Sequence, residues 1–182
     1  MAIQDTLSAI IRAEIRTTIT RIQDGGGGGD FSGLDRYDHL VAQAVQNGSG
    51  AREALGAFTS EFTIPANPAA IQLASTDPLG ALGDDAPSTD PANSSLRAIL
   101  FENLEDPVTG NFFSIKPATG GAGLQGWIEG TGNPELDVAP GGAELAIFPN
   151  GIVAWTTPGA GDTLDVEADN APVLARLTYL FG

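Results

Sequence analysis

The segment Gly121-Ala-Gly123-Leu-Gln-Gly126 fits G-x-G-x-x-G, a spacing in which bare backbone lets a pyrophosphate approach a helix N-terminus. The motif needs a strand before it and a helix after it, and Trp127-Ile-Glu-Gly-Thr-Gly132 cannot open a helix. Dinucleotide binding is not expected. Gly25 to Asp30 partly matches the calcium repeat G-G-x-G-x-D, but Ser32 occupies the aliphatic position and the unit occurs once, whereas such sites are built by stacked repeats. Asp165, Glu167 and Asp169 alternate with Val166 and Ala168, which puts three carboxylates on one strand face. Oxygen clusters of that kind can hold Ca²⁺, but a charged face is also how an edge strand discourages pairing, and no tight site is expected. His39 is the one histidine, there is no cysteine and no G-x-S-x-G elbow, which argues against a Ser-His-Asp hydrolase. No catalytic residue, metal or cofactor is expected.

The charge is unevenly divided. Residues 1–52 carry five Arg against six acids, and residues 53–182 carry three basic groups against seventeen acids, for a net −15 overall. Phosphate neutralisation needs clustered Lys and Arg, so neither nucleic acid nor an anionic membrane is an expected partner. Met1 to Ile10 has neither a basic stretch nor a continuous apolar run, and the expectation is a protein made and kept in the cytoplasm of its producer.

Ile3, Leu7, Ile10, Ile11, Ile15, Ile19 and Ile22 recur at steps of three and four, the spacing of one helix face, and predict a helical anchor over 1–24. The β-branched run Thr17-Thr-Ile-Thr20 leaves a strand open for residues 15–22. A glycine-rich joint follows over 25–31. Leu34, Tyr37, Val41, Ala44 and Val45 predict a second helix, and Ala51 to Phe58 a third, within a helical region over 32–64. Pro65, Pro68, Pro78, Pro87 and Pro91 predict an extended arm over 65–95. From residue 96 to 182, short runs rich in Val, Ile, Leu, Phe and Trp predict an antiparallel β-sandwich or jelly roll. Within it, Asn150-Gly151 carries the residues of a two-residue hairpin turn.

Leu100-Phe-Glu-Asn103, Phe112-Phe-Ser-Ile115, Gly141-Gly142, Ile147-Phe-Pro-Asn-Gly-Ile-Val-Ala154 and Leu177-Thr-Tyr-Leu-Phe-Gly182 resemble the small β-rich accessory proteins of tailed-bacteriophage virions. The resemblance implies a structural role as a head decoration or spike subunit in the virion. It also implies an N-terminal anchor, an outward β domain, and contact with virion proteins such as the major capsid protein. On this reading the chain is a homo-oligomer that assembles through Ile3, Leu7, Ile10, Ile11, Ile15, Ile19 and Ile22, with Arg12 and Arg16, four apart, reaching acidic groups. The alternative is a carbohydrate-binding β module, an adhesin or fibre tip, with Trp127, Trp155 and Tyr179 as stacking residues.

Overall fold

The computed structural model describes residues 9–23, 31–47, 53–54, 56–73, 79–82, 95–117, 123–124, 127–129, 135–154 and 163–182. Contacts divide the chain into two units, one of residues 8–45 and a larger one that contains 46–182.

In the smaller unit β1 (Ala9–Gln23) pairs antiparallel with β2 (Phe31–Asn47), from Ala9 opposite Val45 to Gln23 opposite Phe31, without a break in register. Over residues 9–23 and 32–47, where helices were expected, the chain forms strands; the rest of the expected 1–24 anchor lies outside the described residues. Ile15, Thr17, Thr18, Ile19, Thr20 and Ile22 are β-branched and would lose χ1 freedom against a preceding helical turn, whereas a pleated ladder accommodates them. Fifteen residues at about 3.4 Å each make β1 roughly 50 Å long.

The larger unit begins where β3 (Glu53–Ala54) pairs parallel with the last residues of β2, Gln46 and Asn47. Eight strands then form two antiparallel sheets. They are β4 (Gly56–Ile64), β5 (Ala69–Gln72), β6 (Ser95–Asn103), β7 (Phe113–Pro117), β10 (Leu136–Val138), β11 (Ala143–Ala154), β12 (Thr163–Ala168) and β13 (Val173–Phe181). A short ladder of β8 (Gly123–Leu124) and β9 (Ile128–Glu129) lies between β7 and β10 in sequence. The first sheet has the order β11-β6-β13-β4 and the second β10-β7-β12-β5. The pairings nest: β4 with β13, β5 with β12, β6 with β11, β7 with β10.

Alternation explains why these segments are strands. In β4, Gly56, Phe58, Ser60, Phe62 and Ile64 are buried while Ala57, Thr59, Glu61 and Thr63 are exposed, the period-2 pattern of a half-buried strand. This overturns the helix expected at 51–58 and moves the start of the β domain from residue 96 back to residue 56. The arm expected over 65–95 also contributes β5 and a short 3-10 turn, Gly80–Leu82. Among the described residues there is no α-helix.

The expected turn at Asn150-Gly151 is absent as well, because β11 runs through it. Its register against β6 shifts between Ile147 and Ile152 and again before Ala154. Pro149 lacks the N–H a ladder needs, and a bulge on a sheet's outermost strand absorbs it.

Both sheets feed one core. Phe101 on β6 and Phe113 on β7, each fully buried, set their rings 6.4 Å apart across the two sheets. Ile99, Leu177 and Phe181 from the first sheet join Ile71, Ile115, Leu164 and Val166 from the second in the same cluster. Each such side chain contributes about 1.5–3 kcal/mol on burial. Backbone bonds from Ser95 to Gly182 in both directions, 2.8 and 2.9 Å, fasten the end of β13 to the start of β6.

Candidate functional site

Functional groups on the larger unit sit on the outer sheet faces and on the segment from residue 104 to 112. On the first sheet, Arg176 of the central strand β13 stands between Glu61 of β4 and Glu102 of β6, directly opposite each in register. Its Nη2 lies 2.6 Å from Glu61 Oε1 and its Nη1 3.3 Å from Glu102 Oε2. The hydrogen bond to Glu61, and then that to Glu102, raises the Arg176 pKa further. Thr59 and Thr178 share a hydroxyl hydrogen bond of 2.6 Å two residues along the same pair of strands. An open recess of about 340 Å³ lined by Thr59, Ser60, Glu61 and Arg176 lies here.

On the second sheet, Lys116 Nζ is 2.6 Å from Glu167 Oε2 and 4.0 Å from Glu135 Oε1. The bond to Glu167 holds the Lys116 pKa above its ordinary value. Ser114 donates to Asp137 Oδ1 at 2.9 Å. Phe112, Ser114, Glu135, Glu167, Ala168 and Asp169 line a shallow cleft of about 230 Å³. Of the three alternating carboxylates, Asp165 is buried, Glu167 is tied to Lys116, and Asp169 is exposed past the end of β12. Among the described residues no group of three His, Asp or Glu side chains is placed to hold a metal ion.

At one end of the sheets a buried amide organises the chain. Asn103, 2% exposed, donates from Nδ2 to the carbonyls of Asn111 (2.9 Å) and Val138 (3.0 Å), and its Oδ1 accepts the Glu105 N–H at 3.1 Å. Asp106 Oδ1 then accepts the N–H groups of Val108 and Thr109, which lower the Asp106 pKa. Gly110 has no room for a side chain, since an added Cβ would lie 2.5 Å from Glu105 Cβ. Gly141, at φ +68°, takes a left-handed conformation that other L-residues rarely adopt.

The assembly residues expected from the sequence are divided by the strand. Backbone alternation places Ile11, Ile15 and Ile19 on one face of β1, and Ile10, Arg12, Arg16 and Ile22 on the other. Arg16 stands opposite Asp38 in register. Ile3 and Leu7 lie outside the described residues, as does Trp155.

Tyr179 is a core residue and not a stacking platform. It is 1% exposed, its ring is 5.2 Å from that of Phe58 and 6.0 Å from that of Phe181, and its hydroxyl donates to the Leu73 carbonyl at 3.3 Å. Burial pushes its phenol pKa upward. Its position in β13 follows from the alternation of Val173, Ala175, Leu177 and Tyr179, all buried. Trp127 is half-buried against the core, its ring edge-on to Phe148 at 6.2 Å. Sequence reasoning missed Asn103 and the triad around Arg176. A buried Asn at a strand end has no sequence signature, whereas Glu61, Glu102 and Arg176 lie on predictable strand faces once the partners of β13 are known. No known protein family, characterised protein or solved structure matches this chain.

Proposed function

We propose that the chain is a non-enzymatic structural subunit of a virus particle, a head decoration or spike protein, built on a jelly-roll sandwich. The observation that carries the reading is the nested pairing of eight strands, β4–β13, β5–β12, β6–β11 and β7–β10. A strip of chain folded on itself four strands deep and rolled into two sheets gives this order, the double Greek key used by viral capsid and lectin domains. A fold hosts many functions, so the weight falls on the residues. Lys116 and Arg176 are engaged in cross-strand ion pairs, an arrangement that suits a surface more than a reaction centre. The burial of Tyr179 and the packing of Trp127 on the core favour assembly over glycan stacking.

Attachment falls to residues 8–45. A two-stranded ladder is marginal in water by itself, and strands of 15 and 17 residues expose long backbone edges unless another surface takes them up. Ile11, Ile15 and Ile19 share one face of this ladder, and it carries four of the chain's basic residues, Arg12, Arg16, Arg21 and Arg36. Deleting residues 1–45 is expected to leave a folded β domain, because the two sheets built from β4 to β13 bury a core of their own, while abolishing incorporation into particles. Circular dichroism and particle pelleting read the two halves of that statement. Pelleting of the shortened chain at the full-length level would refute attachment through this segment.

A further inference from the structure

The ribbon formed by β1 and β2 has two unlike faces. Residues directly opposite in an antiparallel ladder lie on the same side of it, and the sides alternate along each strand. The register pairs odd positions with odd and even with even, from Ala9 opposite Val45 to Gln23 opposite Phe31. The odd side therefore holds Ile11, Ile15, Ile19, Val41 and Val45, together with both aromatic residues of the two strands, Phe31 and Tyr37. The even side holds Arg12, Glu14, Arg16, Arg36 and Asp38, five of the seven charged residues of the two strands. Among the described residues the unit of 8–45 consists of these two strands alone, and a two-stranded ladder needs further strands or a packed face to hold in water.

We propose that a second copy of the chain supplies that packing: two ribbons stack through their odd sides, running in the same direction, as a four-stranded sandwich of two layers. Charge opposes contact between copies elsewhere and permits it here. β1 and β2 carry four Arg against Glu14, Asp35 and Asp38, whereas the rest of the chain carries four basic groups against twenty acids and repels its like.

The direction follows from the two charges on the odd side. Arg21 is opposite Gly33 and Ile19 is opposite Asp35, so Arg21 and Asp35 stand one diagonal step apart and have opposite signs. Parallel stacking sets these two levels of one copy against the same levels of the other, and opposite charges come to neighbouring positions. Antiparallel stacking would set the Arg21 level against Ile11 and the Asp35 level against Ala13 and Val41, and a charge placed on an apolar surface without a counter-ion is costly. The area is sufficient. A ladder about 50 Å long and about 10 Å wide, covered by its equal, removes on the order of 1,000 Å² from water, the size at which specific interfaces begin. The inference deepens the reading of residues 8–45 as the attachment segment. Pairing is measured in solution and incorporation on particles, so either can fail without the other.

The test uses the full-length chain, which contains no cysteine. Ala13→Cys puts one thiol on the odd side, and Ala42→Cys puts one a single ladder step away on the even side. Stacked sheets lie about 10 Å apart, within reach of a short bifunctional maleimide. Treated with that reagent, Ala13→Cys is expected to run as a covalent dimer on a denaturing gel and Ala42→Cys as a monomer. Light scattering of the unaltered chain should give twice the 18.6 kDa of one copy. Ile15→Glu is expected to return the mass to one copy, and Thr18→Glu, on the even side, to leave the pair intact. The cysteine variants decide the matter if Ile15→Glu unfolds the ribbon. A one-copy mass for the unaltered chain would mean that its own larger unit or a foreign surface takes this face, and would overturn the proposal. Failure of Ala13→Cys to cross-link, or cross-linking of Ala42→Cys at the same rate, would overturn it too.

Discussion

Replacing Phe101 by alanine is expected to remove about 3–5 kcal/mol of stability. The side chain is fully buried and its ring packs on Phe113 across the two sheets. Its loss costs transfer free energy and also leaves a cavity that strands locked on both flanks cannot close, since β6 is held by β11 and β13. A loss of that size compares with the whole stability of many domains, about 5–15 kcal/mol. Urea denaturation of the full chain should show a lower midpoint with an unchanged slope for the β domain. Val108→Ala, at a residue 89% exposed, is expected to change the stability read from the same titration by less than about 0.5 kcal/mol.

Asn103→Ala is the second large effect, and its cause is polar. The amide is a three-way connector between the end of β6, the segment leading to β7, and β10. Truncation strands the carbonyls of Asn111 and Val138 and the N–H of Glu105. A buried group left without its partner costs about 1–3 kcal/mol, so a total near 3 kcal/mol is expected after partial access of water. Hydrogen exchange supplies a readout that a cavity would not give. The Glu105 amide should lose protection in Asn103→Ala while amides in the centre of β13 exchange only as fast as the lower global stability allows. Unchanged protection at Glu105 would mean that the amide network does not hold this segment.

The same two residues mark the boundary of what the sequence discloses. Phe101 lies in the run Leu96-Arg-Ala-Ile-Leu-Phe101, and apolar runs of this kind between turn residues announce strands, so β6, β7, β12 and β13 are legible. Asn103 looks like any polar residue at a strand end. Its importance comes from Asn111 and Val138, which are brought beside it only by the folded topology.

Over residues 9–23 the spacing of the isoleucines is ambiguous for a periodic reason. Ile11, Ile15 and Ile19 are four apart, and a step of four lies on one face of a helix and also on one face of a strand. The β-branched residues between them carried the deciding information, together with a partner segment that can complete a ladder. In β4 the alternation of Phe58, Ser60, Phe62 and Ile64 was present in the sequence, but a small glycine and a serine at inward positions weakened the signal. Asn150-Gly151 has the composition of a tight turn, yet its neighbours pair along one continuous strand, so tertiary pairing outweighed local preference. Tyr179 shows the same limit from the other side, because an aromatic residue in a strand reads equally as core or as platform until its face is fixed.

Of the candidate site, the ionic pairs were half visible. Alternation places Glu61, Glu102 and Arg176 on outward positions of their strands, but only the strand order makes them neighbours. The acidity of the β domain was evident from composition, and the structure adds that Lys116 and Arg176 each bridge two carboxylates across neighbouring elements.

The proposed structural role is tested most directly by where the protein resides in its producer. Lysate of the producing culture can be banded by density-gradient centrifugation and the particle band digested and quantified by mass spectrometry. Peptides of this chain are expected in that band at a fixed ratio to the major shell protein, retained through a high-salt wash. Recovery of the chain wholly in the soluble fractions, with the particles lacking it, would contradict the proposed structural role.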